Sequence, residues 1–233
     1  MNRRRPWLAL VPQSDLDHAT PGLGLTVQAG RRLGVAMLED TVTALSRVER
    51  ICAVAVVWEH PADLEEIRGL PRVMHLVARY RGVDQAVADA EQQLRGWIRR
   101  SGRIVVAGNL PAGDRGTLDR LLDHAATSPR CVLPDPHGRG ITVMTAGAGT
   151  ALHYSFDRNA VQGFHAHGTR VLPSSGFPTL ARDVHTLADL REAMRLGVGP
   201  ATLAVARDLY LAPEHTAPRG HHRVGPRHAA VPT

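Results

Sequence analysis

Lysine is absent from this chain of 233 residues, and all 28 of its basic residues are arginines. The chain therefore has none of the compact ammonium groups that many phosphate-binding loops use. With 22 acidic residues the formal net charge is +6, which suggests an anionic partner without separating a nucleotide from a nucleic acid. Aromatic residues make up only 4% of the chain. Because single-stranded nucleic acids are bound on interleaved aromatic and basic platforms, we expect no nucleic-acid partner.

Long apolar runs and cysteines are also scarce. No stretch approaches the roughly 20 apolar residues that a membrane span needs. The run from Trp7 to Val11 follows an arginine cluster but is too short for the core of a signal peptide. The two cysteines, Cys52 and Cys131, each lie in an apolar run typical of an inner strand. We therefore expect a cytoplasmic protein without membrane association, whose thiols are reduced and inert.

Apolar residues form 43% of the chain, enough for one sizeable core. Their spacing predicts strands over 7–11, 51–58, 73–78 and 103–107, and helices over 31–47, 62–67, 83–99 and 117–126. We expect this alternation to continue to the end of the chain. It indicates an α/β fold of Rossmann-like type, with a mostly parallel sheet and helices on both faces. We expect one domain over residues 1–211 and a disordered tail, rich in Pro, His and Arg, over 212–233.

Polar and turn residues are expected to gather at one edge of this sheet. In open α/β sheets, ligands bind outside the carboxyl ends of the strands. Four residues are expected there: Pro12, Asn109, Asp135 and Asp183. Thr186 is followed three residues later by an aspartate, a near match to a capping box, which predicts that a strand ending at DVHT runs into a helix.

Three runs in the second half of the chain resemble a known family. They are GTALH at 149–153, RDVHTLADL at 182–190 and LGVGPAT at 196–202. The family consists of the guanylyltransferases that attach GMP to phosphoenolpyruvate or 2-phospho-L-lactate in deazaflavin coenzyme synthesis, and this chain resembles a divergent member. The resemblance implies the nucleotidyltransferase fold, similar to that of nucleotide-diphospho-sugar transferases. It also implies GTP and a phosphorylated three-carbon acid as substrates, Mg²⁺ as cofactor, and a homodimer or a pathway partner.

The resemblance places the metal ion at Asn109 and Asp183. The family's DLP turn is GNLP here, so Asn109 stands in place of the first metal-binding aspartate, while Asp183 of DVHT keeps the second. An amide brings no charge, so a hard cation held by one carboxylate would rely mainly on substrate phosphates. His185 replaces the other acid of the family's DVDT, and imidazole suits a transition metal better than Mg²⁺. The alternative for His185 is a plain polar residue ahead of the helix cap.

For the nucleotide, the resemblance gives Pro12, His18 and Asp84. Pro12 and His18 stand where the family has cations that bind the GTP phosphates, and of these two only His18 can become positively charged. A plain connecting loop is the alternative interpretation of this stretch. Asp84 replaces an asparagine that recognises the base, and its alternative role is that of a helix N-cap.

For the acceptor acid, the resemblance gives four positions: Gly140, Thr142, Asp157 and Ala160. The run PDPHGRGITVM at 134–144 resembles the family's PDRxGxGTNAL, but its threonine comes one place late, at Thr142. In FDRNA, Asp157 and Ala160 replace the Gly and Ser of the family's FGPxS. These changes remove a hydroxyl donor and add a negative charge beside an anionic acceptor.

Two functions are compatible with these residues. The first is an enzyme that condenses GTP with phosphoenolpyruvate or 2-phospho-L-lactate and releases pyrophosphate. The second is a catalytically degraded family member that binds a ligand or a partner protein, because several groups that act as a unit are replaced together. Nucleic-acid binding by an arginine-rich surface ranks last.

Overall fold

The computed structural model describes residues 6–13, 16, 22–59, 67, 69–79, 82–152, 164 and 168–211. Most of the helix predicted over 62–67, and all of the tail predicted over 212–233, lie outside these residues. In the part of the chain that is described, no helix is both long and apolar enough to cross a membrane.

Most of the described strands before residue 126 are followed by a helix. In chain order they are β1 (Trp7–Gln13), α1 (Val27–Ser46), β2 (Ile51–Trp58), β3 (Val73–Val77), α2 (Val83–Gln93), α3 (Arg95–Ile98), β4 (Gly102–Val106), α4 (Arg115–Ala125), β5 (Arg130–Pro134), β6 (Ile141–Ala146), β7 (Arg170–Val171), α5 (Pro178–Ala181), α6 (Leu187–Leu196) and α7 (Pro200–Asp208). The four strands predicted before residue 110 are confirmed, with ends that differ by two residues at most. Helix α1 begins earlier than predicted because Thr26 caps it, its hydroxyl accepting a hydrogen bond from the N–H of Ala29 at 3.3 Å.

The described strands form one seven-stranded sheet in the order β3-β2-β1-β4-β6-β5-β7. Neighbouring strands from β3 to β4 are parallel, as are β5 and β7, whereas β6 runs antiparallel to both β4 and β5. The predicted mostly parallel sheet is therefore confirmed. The expected strict alternation is wrong at β5 and β6, which are joined by the turn 135–140 instead of a helix. This turn lies at the same edge of the sheet as the carboxyl ends of β1 and β4.

Helices cover both faces of the sheet, because the side chains of β1 alternate between two apolar clusters. Ala9 and Val11 pack with α1 and α4 on one face, whereas Leu8 and Leu10 pack with α2 on the other. The single helix predicted over 83–99 is interrupted after Gln93, and Trp97 on α3 is 47% exposed.

The LGVGPAT run has a structural explanation in the contact between α1 and α7. The carboxylate of Asp40, 6% exposed on α1, accepts hydrogen bonds from the N–H groups of Ala201 at 3.2 Å and Thr202 at 2.7 Å. A Cβ atom on Gly199 would collide with this carboxyl group. A glycine is therefore required where the first turn of α7 meets Asp40.

Removing this contact should destabilise the fold. We expect Asp40→Ala and Gly199→Ala each to lower the free energy of unfolding by about 1–2 kcal/mol, because each leaves the first turn of α7 uncapped. Urea denaturation measures this loss. Since both variants break the same contact, the double variant should lose less than the sum of the two. Gly96→Ala is the matched control, because its Cβ atom would meet no other atom within 4 Å.

Candidate active site

Two adjoining cavities lie at the edge where β1, β4 and β5 end. The larger, of about 570 Å³, lies between the turn 135–140 and the segment 182–189. The smaller, of about 250 Å³, extends from that segment to the ends of β1 and β4. Both cavities are lined by Gly140, Asp183 and His185. The segment that carries the Asp183 carboxylate and the His185 imidazole is therefore a wall that both cavities share.

The structure brings five of the sequence-predicted residues together here. Pro12 and Asn109 line the smaller cavity, Asp135 lines the larger, and Gly140 and Asp183 line both. Gln13, which follows Pro12 at the end of β1, also lines the smaller cavity but was not selected from the sequence. The roles proposed for these residues stay predictions.

Two other predicted residues lie elsewhere. Thr142 is fully buried in β6, where its hydroxyl donates to the carbonyl oxygen of Leu133 at 3.2 Å, while Ile141 lines the smaller cavity. The one-residue displacement seen in the sequence turns the Thr142 side chain away from the cleft, because side chains alternate along a strand. Asp84 lies in the first turn of α2, whose N-cap is Gly82, so the alternative role of Asp84 as N-cap is wrong.

Three predicted residues, His18, Asp157 and Ala160, lie outside the described residues. The expected strand at DVHT is wrong, since 182–185 has no strand structure and only Thr186 forms a bridge, with Gly22. This segment is nevertheless fixed. The carbonyl oxygen of Asn109 accepts from the N–H of Val184 at 3.1 Å, and the side-chain amide of Asn109 donates to the carbonyl oxygen of Val184 at 3.1 Å.

Asp183 and His185 flank the buried Val184 and face the cleft. The ring Nε2 of His185 lies 2.9 Å from Oδ2 of Asp183. The side chain of Asp183 is 17% exposed and that of His185 is 63% exposed. The hydrogen bond to Asp183 raises the pKa of His185 above its ordinary value, and partial burial opposes this only in part. The imidazolium form is favoured next to the carboxylate.

Asp189 holds the other end of this segment and confirms the predicted capping box. Its Oδ2 accepts from the N–H and hydroxyl of Thr186 at 2.9 and 2.7 Å, and from the N–H of His185 at 3.3 Å. Burial on its own would raise the pKa of Asp189. The hydrogen bonds from Thr186 and His185, with the guanidinium of Arg182 3.8 Å away, outweigh burial and hold the pKa below its ordinary value.

The turn 135–140 is organised by the carboxylate of Asp135. This carboxylate accepts from the N–H groups of His137 at 2.6 Å, Arg139 at 3.2 Å and Gly140 at 2.5 Å. Asp135 is only 9% exposed, and its negative charge is directed at the main-chain N–H groups of its own turn. The turn thereby presents Arg139 to the larger cavity, opposite Arg182.

Arg139 and Arg182 are the cations that the sequence interpretation missed. The family resemblance implies positive charge in the loop after β1 instead. The signal was present in the sequence, since Arg139 lies between the two glycines of the PHGRG run and Arg182 directly precedes Asp183. Only the fold places these two residues at one cavity.

The donor atoms at the smaller cavity fit an ion that is held mainly by its substrate. Within the described ranges, no group of three or more His, Cys, Asp or Glu side chains could hold a metal ion. The amide nitrogen of Asn109 bonds to Val184, so its oxygen is the atom that could act as a ligand beside the Asp183 carboxylate. One carboxylate and one amide oxygen suit Mg²⁺ when phosphates and water complete the shell.

The lowered pKa of Asp189 predicts how acid affects the fold. Because the folded-state pKa is below that of the unfolded chain, the stabilisation is complete above about pH 4 and is lost as the pH falls through the folded value. We expect Asp189→Asn to lower Tm by about 2–4 °C at pH 7 and by less below pH 4. Calorimetry across this pH range measures the difference. Asp208→Asn, which changes an exposed carboxylate paired with Arg32, should shift Tm by less than about 1 °C throughout. A difference in Tm between the wild-type protein and Asp189→Asn that becomes larger below pH 4 would contradict the prediction.

Curated relatives cover nearly the whole chain. The phosphoenolpyruvate guanylyltransferase of Geodermatophilus obscurus is 36% identical over 210 residues, which are 86% of this chain and 94% of the relative. Phosphoenolpyruvate guanylyltransferase 2 of Rhodococcus jostii is 34% identical over 84% of this chain and 88% of its own length. The phosphoenolpyruvate guanylyltransferase of Streptomyces avermitilis is 33% identical over 88% and 96%. No model of a protein family matches the chain.

Solved structures agree on the fold. A protein from Desulfovibrio desulfuricans described as a nucleotide-diphospho-sugar transferase superposes with a TM-score of 0.66 at 11% identity, over 88% of this chain and 96% of its own. A cytidylyltransferase from Leptospira borgpetersenii superposes with a TM-score of 0.53 at 11% identity, over 89% and 94%. The predicted nucleotidyltransferase fold is confirmed. The extent of the sequence identity shows that the chain belongs, as a divergent member, to the phosphoenolpyruvate guanylyltransferase family.

Proposed function

We propose that this protein transfers GMP from GTP to phosphoenolpyruvate and releases pyrophosphate, as a step of deazaflavin coenzyme synthesis. The observation that carries this proposal is the pair of cavities that adjoin at Asp183, one bordered by two arginines and the other by the ends of β1 and β4. Such a pair can hold two anionic substrates on either side of one reacting centre. The names of the curated relatives support the choice of GTP and phosphoenolpyruvate.

The nucleotide is assigned to the smaller cavity and the acceptor to the larger. The smaller cavity lies between Pro12, Gln13 and Val83 at the start of α2, and such carboxyl-end crevices bind nucleotides in α/β sheets. The larger cavity is bordered by Arg139 and Arg182. Planar guanidinium groups match both the phosphate and the carboxylate of phosphoenolpyruvate, which makes this side suited to the acceptor.

The reaction is a displacement at phosphorus. An oxygen of the phosphoenolpyruvate phosphate forms a bond to the α-phosphorus of GTP. The bond from that phosphorus to the oxygen bridging the α- and β-phosphates breaks, and pyrophosphate leaves with the bonding electrons. Because no proton has to move, the protein contributes mainly by placing the two anions in line and offsetting their charge.

The residues of the cleft can supply this placement. Arg139 and Arg182 hold the acceptor, and Gly140, without a side chain, leaves room where the cavities join. His185 fixes one oxygen of Asp183 by its hydrogen bond, which leaves the other to face the cleft. Asp183 and the amide oxygen of Asn109 would hold Mg²⁺. When bound, this ion offsets charge on the reacting phosphates and on the leaving pyrophosphate.

The proposal is tested by release of pyrophosphate from GTP and phosphoenolpyruvate in the presence of Mg²⁺. We expect turnover by the wild-type protein and a loss of roughly 10²-fold or more in kcat for Asp183→Asn, because the one carboxylate shared by both cavities is removed. Asp208→Asn is the matched control, with the same chemical change on the surface of α7, and should retain full activity.

The alternative of a degraded, non-catalytic member makes the opposite prediction. In that case, the wild-type protein releases no pyrophosphate from GTP with phosphoenolpyruvate or with 2-phospho-L-lactate, and Asp183→Asn changes nothing. Turnover of GTP with 2-phospho-L-lactate but not with phosphoenolpyruvate would support the same reaction with 2-phospho-L-lactate as the acceptor.

The assignment of the acceptor to the arginine side has its own test. Arg139→Gln removes one guanidinium from the larger cavity, and we expect the KM for phosphoenolpyruvate to rise about tenfold, which corresponds to about 1.4 kcal/mol of binding. The KM for GTP should change much less. Arg191→Gln, an equal change at an exposed position of α6, should alter neither value. A rise confined to the KM for GTP would show that the two substrates are exchanged between the cavities.

A further inference from the structure

Asn109 makes two hydrogen bonds to the same residue. Its main-chain carbonyl accepts from the N–H of Val184, and its side-chain amide donates to the carbonyl oxygen of Val184, both at 3.1 Å. Val184 is completely buried, so neither of its main-chain groups has an easy alternative in water. We call this pair of bonds the 109–184 clamp.

The chemistry of the clamp requires an amide at position 109. A carboxylate has no hydrogen to donate, and at the same place it would set a negative charge against the Val184 carbonyl oxygen. The asparagine that replaces the family's aspartate is therefore used by this chain for a bond that aspartate cannot make. If the replacement had only removed a metal ligand, the side-chain nitrogen of Asn109 would need no hydrogen-bond partner, but it donates to Val184.

The clamp acts on the residues that face the cleft. Asp183 and His185 flank Val184, and both line the two cavities. On the far side, Asp189 accepts from the N–H of His185. Among the hydrogen bonds of the described residues, only the clamp joins the short segment 183–185 to the turn that follows β4. Val184 also packs with Ala112 of that turn in an apolar cluster, which does not fix the direction of its main-chain groups. The position of Asp183 relative to the substrates thus depends on Asn109.

We propose that Asn109 is a positioning residue, whose side-chain amide holds the Val184 carbonyl and thereby fixes the Asp183 carboxylate where the two cavities join. This inference deepens the proposed function and rests on it for the kinetic part of its test. It differs from the metal-ligand interpretation of Asn109 in one decisive respect. If Asn109 serves only as a weak ligand, Asn109→Asp restores a charge and improves the enzyme. If it serves as the clamp, the same substitution damages the enzyme.

Hydrogen exchange tests the clamp without substrate, metal ion or turnover. We expect the main-chain amides of 183–186 to exchange at least about tenfold faster in Asn109→Asp and Asn109→Ala than in the wild-type protein, because opening of this segment becomes easier. Amides of β1 should keep their wild-type protection in both variants. Unchanged exchange at 183–186 in Asn109→Asp would overturn the proposal.

Kinetics tests the positioning role. We expect kcat to fall roughly 10²-fold in both variants, as happens when a reacting group is displaced by about 1 Å, with a smaller change in the KM for phosphoenolpyruvate. Asp40→Ala is the stability control, since it loosens α7 but touches neither cavity. At a temperature well below every Tm, it should retain wild-type kcat.

The two parts of the test separate this proposal from the proposed function. A kcat for Asn109→Asp equal to or above that of the wild type overturns the positioning role, whatever its stability. A wild-type protein without turnover would refute the proposed function, and hydrogen exchange would then decide the clamp alone. Loss of kcat in Asn109→Ala together with a gain in Asn109→Asp would establish the ligand interpretation instead.

Discussion

Burial of β1 on both faces is the constraint on which the rest of the structure depends. Every residue from Trp7 to Gln13 is buried, and alternate side chains enter two separate apolar clusters. A strand of this kind needs helices on both sides and parallel partners at both edges. Since helices cover both faces of the sheet, main-chain groups near β1 are accessible to a ligand at the ends of the strands. The cleft lies at these strand ends.

The cleft is built largely from main-chain groups held by buried or half-buried polar side chains. Asp135 gathers three N–H groups of its turn, Asp189 gathers those at the start of α6, and Asn109 holds Val184 from both sides. Each of these contacts costs conformational entropy that is offset by hydrogen bonds to a partly or fully buried side chain. The result is a frame of hydrogen bonds around Arg139, Arg182 and Asp183.

Two residues that depart from the family's sequence pattern, Thr142 and Asn109, have a structural role in this chain. Thr142 supports the pairing of β5 and β6, so the late threonine has a structural use and leaves Ile141 at the cavity. Asn109 has a bond that an aspartate could not make. Positive charge, absent from Pro12, is present at Arg139 and Arg182. Thr142 and Asn109, which both depart from the family's pattern, therefore have structural contacts in this chain.

The sequence by itself determined the first four strands, the helices α1, α2 and α4 that cover them, the capping box at Thr186 and the family resemblance, because these depend on local periodicity and short motifs. It also indicated the edge where Asn109 would lie, since carboxyl ends of parallel strands coincide. Asp183 lies at the same edge, but it follows no strand. Only the tertiary structure decided that β6 is antiparallel, that Thr142 faces the core, and that Arg139 meets Arg182 at one cavity. These outcomes depend on contacts between residues far apart in the chain, of which the pairing of Asn109 with Val184, 75 positions apart, is the clearest.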